Sequence, residues 1–246
     1  MNATASLAAS ITNFQLARVA SGADWDHVLG LRYRALLQRG DILENAAQRH
    51  GDEHDPALHA MTFLLRRNGH PAGTTRTMLS ANHRRWPVPA AAVFQREIDN
   101  ALGMDATFIE MGLTAVGPAP QDDPRIALFH LFKAAVVHGL LENADWVITA
   151  VRENQIGFYG RMFNMQILSG PEALPGLIHP RVLMGLDFRD QMRILEKRIP
   201  TLVVTPAELD EFAASGAVET SQRSLAGLES AQERRVARDR RASTAR

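Results

Sequence analysis

The sequence predicts an α+β fold in which a mixed and mostly antiparallel sheet is flanked by helices. Three observations predict it. Short apolar runs typical of strands alternate along the chain with segments whose apolar residues recur every three or four positions, as on one face of a helix. The segment NGHPAG separates two such runs and predicts an antiparallel hairpin. The 246 residues are 46% apolar and 22% charged, which is ordinary for a globular protein with a substantial core.

The first hundred residues are predicted to form a strand, a helix, a hairpin and a second helix, in that order. Residues Phe14–Ala20 (FQLARVA) alternate as a first strand. In ADWDHVLGLRYRALLQRG the apolar residues Trp25, Val28 and Leu31 have helical spacing, and Gly40 ends the helix. After an acidic loop, HAMTFLLRRNGHPAGTTRTML is predicted to form the hairpin and AAAVFQREIDNAL the second helix.

The rest of the folded chain is predicted to place strands around one long helix. ATFIEMGLTAV is a strand with Phe108, Glu110 and Gly112 on one side of its pleat. In DDPRIALFHLFKAAVVHGLLENAD, acidic residues and Pro124 are helix start signals. The apolar stripe of this helix is Ile126, Phe129, Phe132, Val136 and Leu140. We predict further strands in DWVITAV, MQIL and RVLMGLDF, a short helix in NQIGFYGRMF and an amphipathic helix in RDQMRILEKR.

Composition divides the chain into three parts and limits its partners. We predict a flexible N-terminus at residues 1–13, a folded domain at 14–205 and a polar, Arg-rich, disordered tail at 206–246. Because we find neither a signal peptide nor an apolar run of about 18 residues, we expect a cytoplasmic protein without a membrane span. A net charge of zero gives no general attraction for nucleic acid. The absence of cysteine excludes disulfides, thiolate metal ligands and a cysteine nucleophile.

The segment HGDEHDPALH (His50–His59) is rich in groups that bind metals. His50 and His54 have the spacing of ligands on a zinc-binding helix, but Gly51 and Pro56 both disfavour a helix there. We therefore predict a polar loop with solvated histidines and no metal. The alternative is a metal-dependent hydrolase, whose ligands would be His50, Asp52, His54 and His59.

Charged residues stand in a characteristic order on successive elements. Arg32 (LRYR) is on the first helix, Asp52 and Asp55 (DEHD) precede the hairpin, Arg76 (GTTR) is on its second strand, and Glu110 (FIEMG) is on the next strand. With VRENQIGFYGRMF as a later strand-to-helix segment, this order resembles the GNAT (GCN5-related N-acetyltransferase) fold. Within that fold it is similar to the branch of acyl-homoserine-lactone synthases and N-acyl amino acid synthases.

The resemblance implies an N-acyltransferase. It would join a fatty acyl group, from an acyl carrier protein or acyl-CoA thioester, to the amine of an amino acid or similar metabolite. The amine would attack directly, without a covalent enzyme intermediate and without a tightly bound cofactor. An acyl carrier protein is therefore the expected partner. The alternative within the same fold is a non-catalytic member that binds an acyl ligand or a partner.

The resemblance also implies roles for individual residues. Glu110 is the candidate base or ammonium ligand, with a surface carboxylate as the alternative. Tyr159 would protonate the leaving thiolate, unless it is only a core aromatic. The oxyanion would be held by the backbone of Met111, Gly112 and Leu113. Arg32, Asp52, Asp55 and Arg76 would form an ion-paired cluster beside the acceptor. The acyl-donor side would use Arg125, Arg152 and Phe129.

Two features depart from the pattern of these families. Leu113 stands where the lactone synthases have an arginine. The loop PAPQDDPRIAL lacks the glycines that would hold the CoA pyrophosphate, and Asp122 or Asp123 would cap the helix instead. We therefore predict weak binding of free acetyl-CoA and prefer a carrier-bound donor.

The apolar residues Phe129, Phe132, Val136, Trp146 and Phe163 would line an acyl slot or, in our preferred interpretation, form plain core. For the Arg-rich segment 234–246 we prefer a solubilising tail to a contact with the carrier protein.

Overall fold

A computed structural model of the protein describes residues 14–81, 86–117 and 124–214. Its seven strands are β1 (Phe14–Arg18), β2 (Ala60–Arg67), β3 (His70–Ser80), β4 (Phe108–Val116), β5 (Trp146–Val151), β6 (Gln166–Glu172) and β7 (Arg181–Asp187). They form one sheet in the order β1-β2-β3-β4-β5-β7-β6. Only the β4–β5 pair is parallel among these strands. The predicted mixed, mostly antiparallel sheet is confirmed.

The helices lie on both faces of this sheet. They are α1 (Gly22–Gln38), α2 (Ala91–Leu102), α3 (Pro124–Leu141), α4 (Ile156–Phe163) and α5 (Phe188–Arg198). A further helical segment, α6, covers residues 206–214. On one face of the sheet, α3, α4 and α5 enclose the largest core cluster. On the other face, α2 packs through Phe94 and Ile98 against Phe108 of β4 and Ile148 of β5.

The turn of the hairpin is shorter than predicted. Asn68 and Gly69 both have positive φ, +50° and +80°, which is the conformation of a two-residue type I′ turn. His70 and Pro71, which the sequence analysis placed in the turn, are the first residues of β3. Asn-Gly alone therefore reverses the chain, and the rest of NGHPAG belongs to the strand.

Helix α3 is buried around most of its circumference rather than along one stripe. Ala127, Leu131 and Ala135 are buried, whereas Leu140, which the apolar stripe included, is 41% exposed. The sheet packs against one side of α3, and Phe212 of α6 joins the core cluster around Val137 on another. By length and composition α3 resembles a membrane span, but in this fold it is the central core helix.

The packed part of the chain extends beyond residue 205. Phe212 of α6 is only 9% exposed, and its ring lies 5.9 Å from that of Phe63 in β2. The predicted boundary at residue 206 is therefore too early, because one aromatic side chain anchors an otherwise polar segment. The predicted flexible N-terminus and the Arg-rich end of the predicted tail lie outside the described residues, as do Asp122 and Asp123.

This anchor can be tested by its effect on stability. Phe212→Ala is expected to lower the free energy of unfolding by about 3 kcal/mol, because it removes a buried ring from the core. Urea unfolding measures the loss. Glu211→Ala, at an exposed position of the same helix, is the control and should change stability little. Equal stabilities for the two variants would show that α6 is not part of the stable fold.

Candidate active site

The two parallel strands at the centre of the sheet separate after a short pairing. Residues 108–110 of β4 pair with residues 146–148 of β5, and no register is formed beyond Glu110 and Ile148. The hydroxyl of Thr149 bridges the start of the gap by donating to the carbonyl oxygen of Met111 at 2.8 Å. The strands then diverge around Gly112 and Leu113. A cleft therefore opens through the middle of the sheet.

A β-bulge lies beside this cleft. Arg76 of β3 is opposite Gly112, but Thr74 is opposite Ala115, so Leu113 and Thr114 together face Thr75. Leu113 has a φ of +48°, in the left-handed region that residues other than glycine adopt rarely. The bulge thus lies in the segment predicted to hold the oxyanion, and Leu113 rather than Gly112 carries the unusual backbone. A Cβ added at Gly112 would meet only Glu110 Oε1, at 3.7 Å.

The structure brings together the four charged residues predicted to form a cluster. Arg32 Nη1 donates to both carboxylate oxygens of Asp55, at 2.8 and 2.9 Å. Arg76 Nη1 donates to Asp55 at 3.0 Å and Arg76 Nη2 to Asp52 at 2.9 Å. Both guanidinium groups are almost fully buried, whereas the Asp52 side chain is one-third exposed. The cluster ties α1 and the loop before β2 to the hairpin, as expected from the resemblance.

Glu110 lies next to this cluster, inside the sheet. Its side chain is 5% exposed, and Oε2 accepts a hydrogen bond of 2.9 Å from the backbone N–H of Ala90, the residue that precedes α2. Burial raises the pKa of Glu110 to about 7, while the Ala90 N–H and the charge of Arg76 act in the opposite direction. A carboxyl group with this pKa exchanges a proton readily near neutral pH.

Two cavities of similar size meet at the cleft. The acidic cavity, of about 470 Å³, contains the carboxylates of Asp52, Glu53 and Glu110 and one guanidinium, that of Arg76. The basic cavity, of about 490 Å³, lies on the other side. Its charged lining residues are Arg39, Asp41 and Arg181. Four residues line both cavities: Gly112, Leu113, Ala150 and Leu177. Reactants bound in the two cavities would therefore meet at these four residues.

Comparison with known proteins identifies the family. The sequence profile of the N-acyl amino acid synthase FeeM matches residues 27–187, which is most of the described fold. The chain belongs to the FeeM family of N-acyl amino acid synthases. It is accordingly an acyltransferase. No curated protein matches it by sequence.

Solved structures with the same fold include the FeeM-type enzyme itself. FeeM, an N-acyl amino acid synthase from uncultured soil microbes, is 13% identical with a TM-score of 0.60, and the match covers 72% of this chain and 92% of FeeM. The acyl-homoserine lactone synthase LasI is 16% identical with a TM-score of 0.56, and the match covers 74% of this chain and 92% of LasI. TofI, solved in a ternary complex with an inhibitor and MTA, is 18% identical with a TM-score of 0.57, and the match covers 80% of this chain and 99% of TofI. At these identities the likeness is one of fold, and the predicted GNAT-like fold is confirmed.

In this FeeM-family fold, Tyr159 lines the basic cavity from α4. It is 6% exposed and packs against Phe163, so it also belongs to the core. Burial raises the pKa of Tyr159 to about 12, and the charge of Arg39 partly opposes this. The hydroxyl therefore keeps its proton at neutral pH and is available as a donor.

The residues predicted for the acyl-donor side are not brought together at one site. Arg152 lies beside the basic cavity and donates from Nη1 to the carbonyl oxygen of Arg39 at 2.9 Å. Arg125 is exposed at the start of α3. Phe129 packs edge-to-face on Phe163, with ring centroids 5.9 Å apart.

The aromatic residues considered for an acyl slot are core. Phe132 stacks on Phe163 with ring centroids 3.9 Å apart, and both rings are buried. Val136 is fully buried beside them, and Trp146 packs against the core on the α2 side. Our preferred interpretation of these residues as core therefore holds.

The histidine-rich segment is a loop, as predicted, and contributes to the acidic cavity. His50 and His54 line it with Asp52, whose carboxylate is bound by Arg76. Burial lowers the pKa of His50, and so does the nearby charge of Arg32. Within residues 14–81, 86–117 and 124–214, no group of three His, Asp or Glu side chains could hold a metal ion. The geometry therefore offers no support for a metal-dependent hydrolase.

Sequence reasoning did not find the charged residues of the basic cavity. Asp41 is 2% exposed, and Arg181, which is 140 positions away in the sequence, donates from Nη2 to its carboxylate at 2.8 Å. Arg39 Nε lies 3.2 Å from the other carboxylate oxygen. The one available sequence signal was an acidic residue directly after the helix-ending Gly40, and it does not reveal that Arg181 is the partner of Asp41.

Proposed function

We propose that the chain is an N-acyl amino acid synthase that moves an acyl group from a thioester to the amine of an amino acid. The main support is the position of Glu110, a buried carboxyl with a pKa near neutrality, at the edge of a cleft that joins two cavities. A C–N bond forms, the C–S bond of the thioester breaks, and the products are an amide and a free thiol. The nitrogen loses two protons in this exchange: Glu110 would take one, and the other would reach the leaving thiolate by way of Tyr159, which donates its own proton and is reprotonated.

The acidic cavity is proposed to hold the amine. Its three carboxylates against one guanidinium favour an ammonium group over an anion. The pKa of an α-amino group is about 8, so the ammonium gives up its proton easily to a carboxylate with a pKa of about 7. Glu110 would take this proton and leave the neutral amine beside Gly112. The ion-paired cluster positions the loop around it.

The β-bulge is proposed to hold the oxyanion. Met111 is paired with Thr77 in the sheet, whereas Leu113 and Thr114 share one partner in β3 and have lost β5 on the other side. Backbone N–H groups released from sheet pairing can donate to the negative oxygen of a tetrahedral intermediate. The N–H groups of Leu113 and Thr114 therefore suit the oxyanion better than those of Met111 and Gly112.

Tyr159 is proposed to protonate the leaving thiolate from the basic cavity. Tyr159→Phe is expected to lower kcat by about 10²-fold, because it removes a general acid and leaves the ring packing in place. Steady-state kinetics and urea unfolding should be measured together. Tyr33→Phe is the control, since Tyr33 is equally buried but lies outside both cavities. An unchanged kcat in Tyr159→Phe would leave Tyr159 as a core residue only.

The donor is proposed to be a fatty acyl group on a carrier protein. The glycine-poor loop PAPQDDPRIAL is the supporting sequence feature, because a coenzyme A pyrophosphate is usually held by free N–H groups at such a loop. A carrier-bound pantetheine has no pyrophosphate and does not need this loop.

Thioester turnover tests the proposed function directly. Purified protein is given acyl carrier protein and acyl-CoA thioesters, each with a panel of amino acids and S-adenosylmethionine, and free thiol release is followed. Mass spectrometry of the products and of organic extracts from overexpressing cells identifies both halves of the amide. If thioesters bind but no amine accelerates thiol release, the chain is a binding protein rather than a synthase.

The reaction should depend on pH through Glu110. The base form is lost as pH falls through its pKa, so kcat/KM is expected to fall about tenfold per pH unit below pH 7 and to level off above it. Because the acceptor is proposed to bind as an ammonium, kcat/KM should fall again as the free amine loses its proton above about pH 8. Glu110→Gln should remove the inflection near pH 7 and leave that of the amine. A wild-type profile without an inflection between pH 6 and pH 8 would contradict the assigned pKa.

A further inference from the structure

A single buried carboxylate, that of Asp41, is surrounded by two arginines that line the basic cavity, Arg39 and Arg181, and by a third beside it, Arg152. Arg181 Nη2 lies 2.8 Å, Arg39 Nε 3.2 Å and Arg152 Nη1 3.8 Å from the carboxylate of Asp41. Asp41 compensates one of these three charges. Among the described residues that line the cavity, Asp41 is the only acid. The site therefore keeps an excess of positive charge in a concave, partly buried place.

The geometry of Arg39 shows that this charge is not fully paired. Its Nε is buried without a hydrogen-bond partner, although Asp41 is close, and Nη2 reaches only the carbonyl oxygen of Thr114 at 3.3 Å. Its side chain lines the basic cavity and is still 35% exposed. Burial lowers the pKa of Arg39, as expected for a guanidinium that has lost more water than it has gained in partners.

The two cavities are thus of opposite charge. The acidic cavity suits an ammonium group, whereas the basic cavity suits an anion. Tyr159 and Thr149 line the basic cavity, so an anion bound there would lie on the side from which the thiol leaves. In a thioester donor the thiol ends a pantetheine arm, whose amides are neutral and whose far end carries a phosphate.

We propose that Arg39, Arg152 and Arg181, held by Asp41, bind the phosphate of the donor's pantetheine arm. This inference rests on the proposed acyl transfer and names the feature by which the donor is recognised. Guanidinium groups suit this task because each can donate two parallel hydrogen bonds to phosphate oxygens. The same phosphate is present in a carrier protein and in coenzyme A, so the chemistry is shared by both sources.

Binding of the isolated arm tests this proposal without requiring catalysis. Calorimetry on the full chain compares 4′-phosphopantetheine with pantetheine. The phosphorylated arm should bind at least about tenfold more tightly, as expected for hydrogen bonds to a charged group. Arg39→Gln should remove most of this preference. Arg34→Gln, at an exposed position on α1, the helix that Arg39 follows, should keep it.

The outcomes separate the possible errors. Equal binding of the two arms by wild-type protein overturns the proposal. So does a preference that survives in both Arg39→Gln and Arg152→Gln. If the preference is present and Arg39-dependent but no amine is acylated, the phosphate site stands and the proposed function fails. If amines are acylated with equal KM for phosphorylated and unphosphorylated acyl-pantetheine, the proposed function stands and the phosphate site fails.

The source of the phosphate is found by turnover. In Arg39→Gln the KM for acyl carrier protein, for acyl-CoA or for both should rise about tenfold or more relative to Arg34→Gln. A rise for only one donor identifies the source that this site recognises. A rise for neither donor contradicts the proposal, since both carry the phosphate.

Discussion

Glu110→Gln is expected to lower kcat/KM for acyl transfer by about 10²–10⁴-fold, the usual contribution of a general base. The change replaces one side-chain oxygen by an amide nitrogen and keeps the volume. The remaining oxygen can still accept the hydrogen bond from the Ala90 N–H. What is lost is the group that takes the proton of the amine. Full kinetics on a carrier-bound or CoA-bound acyl donor measures the effect.

Measuring the stability of Glu110→Gln distinguishes the loss of a catalytic base from unfolding of the protein. Because burial raises the pKa of Glu110 above its unfolded value, the folded protein holds a proton there that the unfolded chain has already released. The contribution of the protonated Glu110 to stability is therefore largest at low pH and is lost as pH rises through about 7. Glu110→Gln, which is always neutral, should be at least as stable as wild type above pH 7. Glu142→Gln, at an exposed position, is the kinetic control. Wild-type turnover in Glu110→Gln would exclude Glu110 as the base.

Asp55→Asn is expected to destabilise the protein by about 3–5 kcal/mol, the largest stability effect that we predict for a single charge. Asp55 accepts hydrogen bonds from both buried guanidinium groups, Arg32 and Arg76. Burial lowers the pKa of Arg32 and Asp55 opposes that shift, so the carboxylate is what allows Arg32 to stay charged inside the protein. Without it a buried positive charge remains.

Asp52→Asn is the matched comparison for this prediction. Asp52 pairs with Arg76 but is one-third exposed, and Arg76 keeps its hydrogen bond to Asp55 when Asp52 is replaced. Its loss should therefore cost about 1 kcal/mol. Urea unfolding of both variants measures the difference. The double change Arg32→Met with Asp55→Leu should recover much of the loss, because an apolar pair removes the uncompensated charge. Equal and small losses for Asp55→Asn and Asp52→Asn would show that the cluster does not hold the fold.

Much of the fold follows from local sequence, because the signals act over a few residues. Asn68 and Gly69 adopt positive φ in a two-residue turn, so the register of the hairpin follows from that dipeptide. Apolar periodicity predicted α1, which buries one face in the core, and alternation predicted β1, whose residues alternate between partly buried and exposed. Helix α3 was predicted, but its burial pattern was not, because neighbours on several sides cover it.

The candidate site depends on contacts between distant residues, which local patterns do not encode. Glu110 was selected by its place on the strand, but its pKa comes from burial under α2 and the N–H of Ala90. The four-membered cluster was expected only through a resemblance, because charges of opposite sign occur throughout any sequence. The helix that carries Phe212 was missed, although Thr205 and Glu208 have the spacing of a capping box that starts a helix there.

The sequence by itself therefore determined the order and type of the elements, the reversal at Asn68–Gly69 and the identity of the chemical groups available. Only the tertiary structure decided which of those groups meet. It placed the left-handed Leu113 at the divergence of β4 and β5, and it joined Asp41 to Arg181 from the opposite end of the domain. The physical reason is that turns and helices are stabilised by neighbours in the chain, whereas burial and ion pairing depend on neighbours in space.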